Sequence, residues 1–482
     1  MATEHAVSAG RATAVVRPLP EWMTPMRALA AVEDRPGAVF LESAGDGGES
    51  SDWTILAFDP AWRLVLANGA DGALHLVSGA GARAVGPDPL AALAAVWPPR
   101  VEIAGAPPIP FVSGLAGFIA YDFKDWLERY PARARREWPV PDLSLGFYDV
   151  VWVWRRSTGE AWAVSTGLSQ RDPRRQEERA REALDAQWGL IEAWRQGAGA
   201  PAYATPARPR IISNFTRDSY CRMVEAALEH IAAGDIYQVN LSQRFLVEPA
   251  ADPASIYRAL RAAAPAPYLA YIRDTDMGVC SSSPERFFRI QGRRIETWPV
   301  KGTRPRGRTL AEDEALAAEL VASAKDRAEN VMIVDLARND LGRVCEVGSV
   351  TVPALCEVTS HSNVHHFVSR VEGRLREGVH PVEVLRALFP GGSITGTPKI
   401  RSVEIIDEVE PVRRGVYTGA IGYWDVGGDC DWNIAIRTIV ARQGIASFHA
   451  GGGIVADSTP EAEYEETLVK ASGMMRALGV DA

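Results

Sequence analysis

Cysteine is scarce, with five in 482 residues: Cys221, Cys280, Cys345, Cys356 and Cys430. None stands in the CxxC spacing of a zinc site, and their density is far below that of a disulfide-stapled domain. A reduced, cytoplasmic setting is the expectation. No apolar run approaches the ~18 residues that a membrane span needs. The opening stretch "MATEHAVSAGRATAVVRPLPEW" has no continuous apolar h-region of a secretion signal, so no membrane partner is expected. A basic surplus is missing as well. With 52 Lys and Arg against 61 Asp and Glu, the net charge is −9. That balance disfavours nucleic acid as the main partner, because phosphate binding needs a concentrated basic surface. Tandem repeats and low-complexity tails are also absent.

What is present is an ordinary globular composition, 47% hydrophobic and 23% charged, enough to bury a large core. Residues 1–165 read as short strands separated by Gly, Asp and Pro, among them "AVFLES", "DWTILAF", "RLVLANG", "ALHLVSG" and "VVWVWRR". Residues 166–210 hold a helix over about 172–195 and a Gly/Ala/Pro-rich linker, "QGAGAPAYATPARPR". From 211 to 482 come a helix ("RDSYCRMVEAALEHIAAG"), strands, one long helix over about 311–340, more strands, and a last helix from about 460. Strands and helices without strict βαβ alternation predict an α+β fold.

Two acidic pairs carry chemistry. "KDRAENVMIVDLARND" puts Asp326 and Glu329 three apart on one helix face, and "PEAEYEETLVKA" does the same with Glu463 and Glu466. On most helices such pairs are solvated. If the two converge, their oxygen-only ligation suits Mg²⁺. Two glycine-rich stretches read as turns. "FPGGSITGTPK" lacks the Lys-Ser/Thr of a phosphate loop. "HAGGGIVADS" offers Gly451, Gly452 and Gly453 as a backbone nest for carboxylates. One amine also stands out. "WPVKGTRPRG" places Lys301 ahead of three arginines; alone, a Lys-Gly pair is usually a solvated turn.

These pieces occur together in a known order. From about residue 215 onward the chain resembles the chorismate-utilising enzymes, through "IAAGDIYQVNLSQR", "SSSPERF", "PVKGTRPRG", "AENVMIVDLARND", "HHFVS", "GGSITGTPKIRSVEIIDEVEP", "YTGAIGYW", "NIAIRT", "GGGIVADS" and "EAEYEETLVKA". Upstream, "FLES", "FDP" and "FVSGLAGFIAYD" look like the N-terminal region of the two amine-forming branches. The resemblance implies a large two-part core of antiparallel β-sheets packed face to face, with helices outside, as in anthranilate synthase component I. At the position of Lys301, anthranilate synthases typically carry alanine, whereas aminodeoxychorismate synthases carry a nucleophilic lysine. The water-adding branches carry a lysine where this chain has Gln238. Resemblance therefore implies amination of chorismate by ammonia through Lys301, giving 4-amino-4-deoxychorismate.

Further roles are implied in the same way. Glu285 of "SPERF" matches the general acid. Glu329 and Glu466 match direct Mg²⁺ ligands, with Asp326 and Glu463 holding its waters. Arg437 and Tyr417 would clasp the enolpyruvyl carboxylate. Gly451–Gly453 and Lys470 would add positive potential, His366 and Ser393 would line the ring pocket, and Thr303 would bind substrate. Arg304 and Arg306 are the candidates for lowering the pKa of Lys301. Leu41, Glu42 and Ser43 resemble the strand lining a tryptophan pocket. No cysteine sits in the G-x-C-x-G turn of a glutaminase, so ammonia is expected from solution or from a separate glutamine amidotransferase subunit. Two alternatives remain: an anthranilate synthase component I, which eliminates pyruvate, and a non-catalytic tryptophan or chorismate sensor.

Overall fold

A computed structural model describes residues 10–43, 52–67, 72–86, 88–131, 133–197, 209–360 and 364–480. Most of the expected linker, 198–208, lies outside the described residues. Two twelve-stranded sheets form the centre. The first runs from the edge strand Val300–Pro305 through Val364–Arg374, Arg294–Thr297, Arg286–Gln291, Cys430–Ile434, Ala420–Asp425, Gly114–Ile119 and Leu143–Tyr148 to the hairpins beyond Trp62–Leu66. The second runs from Arg210–Ser213 through Gln238–Glu248, Ile445–Ile454, Thr438–Arg442, Met277–Ser283, Tyr268–Arg273 and Ala38–Glu42 to Val15–Pro18. Neighbours in both sheets pair antiparallel, as where Gly114–Ile119 meets Ala420–Asp425 and where Ala38–Glu42 meets Tyr268–Arg273. Strands from 1–165 and from 211–482 thus share both sheets.

The core is layered accordingly. Val39, Ile55, Phe118, Tyr148, Val279 and Ile421 fill the space between the sheets. On the outer face of the first sheet, Leu64, Leu145 and Phe288 pack with Leu93, Val334 and Leu385 of three helices. On the outer face of the second, Phe40, Trp152 and Phe448 pack with Leu29, Leu184, Leu260 and Met474 of four more. Each large apolar side chain buried this way contributes roughly 1.5–3 kcal/mol. Strand patterning follows position. Trp62–Leu66 alternates buried and half-buried residues, whereas the central Leu143–Tyr148 is buried throughout because sheet and helices cover its two faces. This is the α+β double-sheet core with outer helices.

The expected helix over 311–340 is two helices, Leu310–Ala322 and Ala324–Gly342. The break falls at Ser323, whose backbone leaves the helical region (ψ 103) and whose hydroxyl accepts the Asp326 N–H at 3.2 Å. A serine competes with the helix in this way wherever it can serve as an N-cap. Restarting the helix there puts Asp326 in its first turn, beside the strand that carries Lys301.

Candidate active site

Five segments meet around Glu329: the edge strand Val300–Pro305, the strands Gln238–Glu248 and Ile445–Ile454, and the helices Ala324–Gly342 and Pro460–Ala477. Glu329 joins the two sheets here. Its Oε1 accepts from the Lys301 ammonium at 2.7 Å and from the Gln238 side-chain amide at 3.2 Å. Gln238 is fully buried, and its own Oε1 has no partner among the described residues. Burial favours the neutral form of Lys301, but the carboxylates of Glu329, Glu285 and Glu466 outweigh it and hold the amine above its ordinary pKa. Arg304 and Arg306 do not act on the amine as expected. Arg304 pairs with Glu319 and Asp326, and Arg306 grips Asp313 with two contacts of 2.7 Å. Their charge is spent on acids that fold the loop.

Glu285 lies where the chain crosses from one sheet to the other, between Met277–Ser283 and Arg286–Gln291. Ser393, in the turn Gly392–Ile394, donates its hydroxyl to Glu285 Oε1 at 2.6 Å. Burial pushes the Glu285 carboxyl up to about 7, against the Ser393 hydrogen bond and the Lys301 charge. A carboxylic acid in that state holds a proton near neutrality.

The glycines Gly451–Gly453 are not a turn. They lie in the strand Ile445–Ile454, opposite Ser242, Leu241 and Asn240. Their small size serves the carboxylates instead. A Cβ on Gly452 would come within 2.9 Å of Glu463 Oε2 and 3.2 Å of Glu466 Oε1, and one on Gly453 within 2.5 Å of Gln238 Nε2 and 3.0 Å of Glu329 Oε1. Glu463 and Glu466 of one helix and Glu329 of the other therefore converge on one strand, and Asp326 does not join them. Lys470 donates to the Gly451 carbonyl at 3.0 Å and pairs with Glu466 at 2.5 Å, so its charge is largely neutralised. Burial would raise Glu466, but Lys470, Lys301 and Lys325 hold it below the usual range; burial raises Glu463.

Among the described residues, no three His, Cys, Asp or Glu side chains lie close enough together to share a metal ion. Donor chemistry still fits a hard cation. The acidic set is oxygen-only, glycine leaves room beside it, and Glu463 Oε2 is buried without a partner among the described residues. Asp326 is turned toward Arg304, with 3.2 Å between them.

Tyr417 is buried and stacked on His449, with ring centroids 5.1 Å apart, and burial pushes its phenol to about 12. Arg437, at φ +53, donates to the Lys470 carbonyl at 2.8 Å, and burial lowers its pKa. Its remaining N–H groups meet no acceptor among the described residues. His366 Nδ1–H donates to the Gly302 carbonyl at 3.2 Å, bracing the Lys301 loop. Thr303 pairs with His366 through the backbone; its side chain lies outside the described residues. Leu41, Glu42 and Ser43 border a separate cavity of about 680 Å³ between the sheets. The Ser43 hydroxyl is buried there without a partner among the described residues, while Glu42 is bound by Arg261 at 2.6 and 2.7 Å.

Three buried charged residues escaped the sequence reading. Arg286, beside the acid, is fully buried against Glu296 and Asp431 and lies 4.3 Å from the Trp298 ring. Arg414 and Glu410 form a buried pair next to Tyr417. The i,i+4 spacing of the second pair was the available signal, but on a sequence it reads as an exposed helix pair.

A double-sheet core that brings together an acid with a raised pKa, a buried amine and three carboxylates forms a candidate enzyme centre. The chain belongs to the chorismate binding enzyme family, whose match spans residues 37–476. It is 37% identical over 452 residues to aminodeoxychorismate synthase component 1 of Bacillus subtilis (strain 168), covering 92% of each chain. It is 40% identical over 380 residues to anthranilate synthase component 1 of Bacillus caldotenax, covering 77% of this chain and 75% of that one. Anthranilate synthase component I from Streptococcus pneumoniae TIGR4 superposes with a TM-score of 0.77 at 31% identity, over 89% of this chain and 93% of the other.

Proposed function

We propose that the chain aminates chorismate at C4 as component I of an aminodeoxychorismate synthase, with Lys301 as a transient nucleophile. The observation that carries this is the buried Lys301 amine, held by Glu329 in the same site as an acid that keeps its proton near pH 7. The Lys301 ammonium passes a proton to Glu329, which it contacts at 2.7 Å and which returns it when the amine is released; the neutral amine bonds to C2, the diene shifts, and the C4–O bond breaks. Hydroxide is a poor leaving group, so Glu285 gives it a proton and it departs as water. Ammonia then bonds to C4, the diene shifts back, and the C2–N bond to Lys301 breaks. A proton shed by the added nitrogen returns to Glu285, and the enolpyruvyl ether is untouched throughout.

Arg437 and Tyr417 orient the enolpyruvyl carboxylate, Arg437 through the N–H groups it has left. Mg²⁺ held by Glu329 and Glu466, with Asp326 and Glu463 beside them, would supply Lewis-acid polarisation of the ring carboxylate. Burial pushes all five cysteine thiols above their ordinary pKa. That is the opposite of an activated glutaminase nucleophile and supports a separate glutamine amidotransferase subunit as the ammonia source. The Ser43 hydroxyl and the cavity beside it support a site for an amino acid of tryptophan's size.

The second reading, anthranilate synthesis, is favoured by the relatives of that name at similar identity. Incubation with chorismate, ammonium and Mg²⁺ separates the two. Mass identification of 4-amino-4-deoxychorismate supports amination without pyruvate loss; fluorescent anthranilate and pyruvate overturn it.

A further inference from the structure

Arg414 is buried, and each of its guanidinium N–H groups has an acceptor. Nε and Nη2 hold Glu410 at 2.9 and 2.7 Å, Nη2 also reaches the Asn240 carbonyl at 2.6 Å, and Nη1 reaches the Ile394 carbonyl at 3.0 Å and the Thr418 hydroxyl at 3.3 Å. A guanidinium has five N–H donors, so none is left for a substrate. What these acceptors share is their location. Ile394 follows Ser393, the donor to Glu285. Asn240 lies in the strand that carries Gln238 and pairs with Gly453. Thr418, at φ +60, follows Tyr417, whose ring lies 5.8 Å from the guanidinium carbon. Glu410 extends the reach by accepting the Ser242 backbone N–H at 2.8 Å and the Ser242 hydroxyl at 2.9 Å.

We propose that Arg414 is a positioning residue: one planar fork fixes the turn that orients the acid, the strand that carries Gln238, and the loop that presents Tyr417. This rests on the chorismate site described above. A buried ion pair that served stability alone would need only Glu410; three further acceptors on three separate site segments are what positioning requires. An ammonium would keep the charge beside Glu410 but cannot span four partners in one plane.

The test compares Arg414→Lys and Glu410→Gln with a control, Arg63→Lys, which disturbs the buried Arg63–Asp274 pair (2.6 Å) away from the site. Turnover is read as chorismate consumption, so the result stands whichever product forms, and chorismate affinity is read in parallel by calorimetry. Arg414→Lys is expected to raise KM and lower kcat together, with kcat/KM down roughly tenfold to a hundredfold, as misplacement of about an ångström does. Glu410→Gln should fall between it and wild type, while the control of similar Tm loss stays near wild type. If both site variants keep kcat/KM within about twofold of the control, the positioning role is overturned. Should Arg414→Lys fail to fold, Glu410→Gln against the control decides by the same criterion.

Discussion

The Lys301 ammonium lies 2.7 Å from Glu329 Oε1, so the proposed nucleophile and a proposed metal ligand neutralise each other. Removing the charge on Glu329 weakens both functions. Glu329→Gln should lower kcat/KM by at least about a hundredfold and shift the Mg²⁺ dependence of the rate to higher concentration. Glu466→Gln should act in the same direction. A Mg²⁺ titration of initial rates checks this, and full activity in excess chelator would end the metal assignment.

Glu285 is predicted to trade stability for chemistry. Its folded pKa of about 7 lies above the ordinary 4.5. A carboxyl raised in this way leaves stability intact below the unfolded pKa and costs stability as pH rises from about 4.5 through about 7. Glu285→Gln should therefore abolish turnover yet unfold at a higher temperature than wild type. That gain should be absent near pH 4, grow toward pH 7 and then level off, reaching up to about 3 kcal/mol. Thermal unfolding of both proteins from pH 4 to 8 reads the slope directly.

Ser393→Ala removes the hydrogen bond that favours ionised Glu285. Its acid should then hold the proton to higher pH, moving the alkaline limb of the kcat profile upward. An unmoved limb with unchanged kcat would detach Ser393 from the acid.

Glycine at 452 and 453 is predicted to be needed for space. Gly452→Ala places a methyl 2.9 Å from Glu463 Oε2, and Gly453→Ala places one 2.5 Å from Gln238 Nε2. Both positions have ordinary extended backbone, so the chain should fold. Activity should drop roughly tenfold or more because the carboxylates are pushed out of place. Circular dichroism with steady-state kinetics distinguishes this from misfolding.

The fold was legible where patterning was strong. The strand-like stretch "RLVLANG" and the helical stretch "RDSYCRMVEAALEHIAAG" match the strand Trp62–Leu66 and the helix Arg217–Ala232. Ser323 hid its break because one serine in a helical pattern is not a strong stop signal. Three glycines in a row read as a turn; only the facing carboxylates show why a strand keeps them. Glu285, Lys301 and Glu329 were singled out through motif resemblance, but their mutual distances depend on a crossover between sheets that no local pattern encodes. Arg414 was invisible for the same reason, since its four acceptor residues lie between 4 and 174 positions away.

Isolated protein should use ammonium salts but not glutamine. With a pKa near ~9, ammonia is scarce at neutral pH, so the rate at fixed ammonium should climb with pH up to about 7 and slacken above it as Glu285 loses its proton. Adding a glutaminase subunit should make glutamine the better donor and flatten the climb. Glutamine-dependent turnover by the single chain would contradict the expectation of a separate subunit.

The most direct test of the central claim is the intact mass of the protein after incubation with chorismate and Mg²⁺ in the absence of ammonia. Covalent amination chemistry requires an adduct equal to chorismate minus one water, mapping to Lys301, discharged as 4-amino-4-deoxychorismate on adding ammonium, and missing from Lys301→Ala. No adduct in the wild type, with aminodeoxychorismate formed at an undiminished rate by Lys301→Ala, would contradict it.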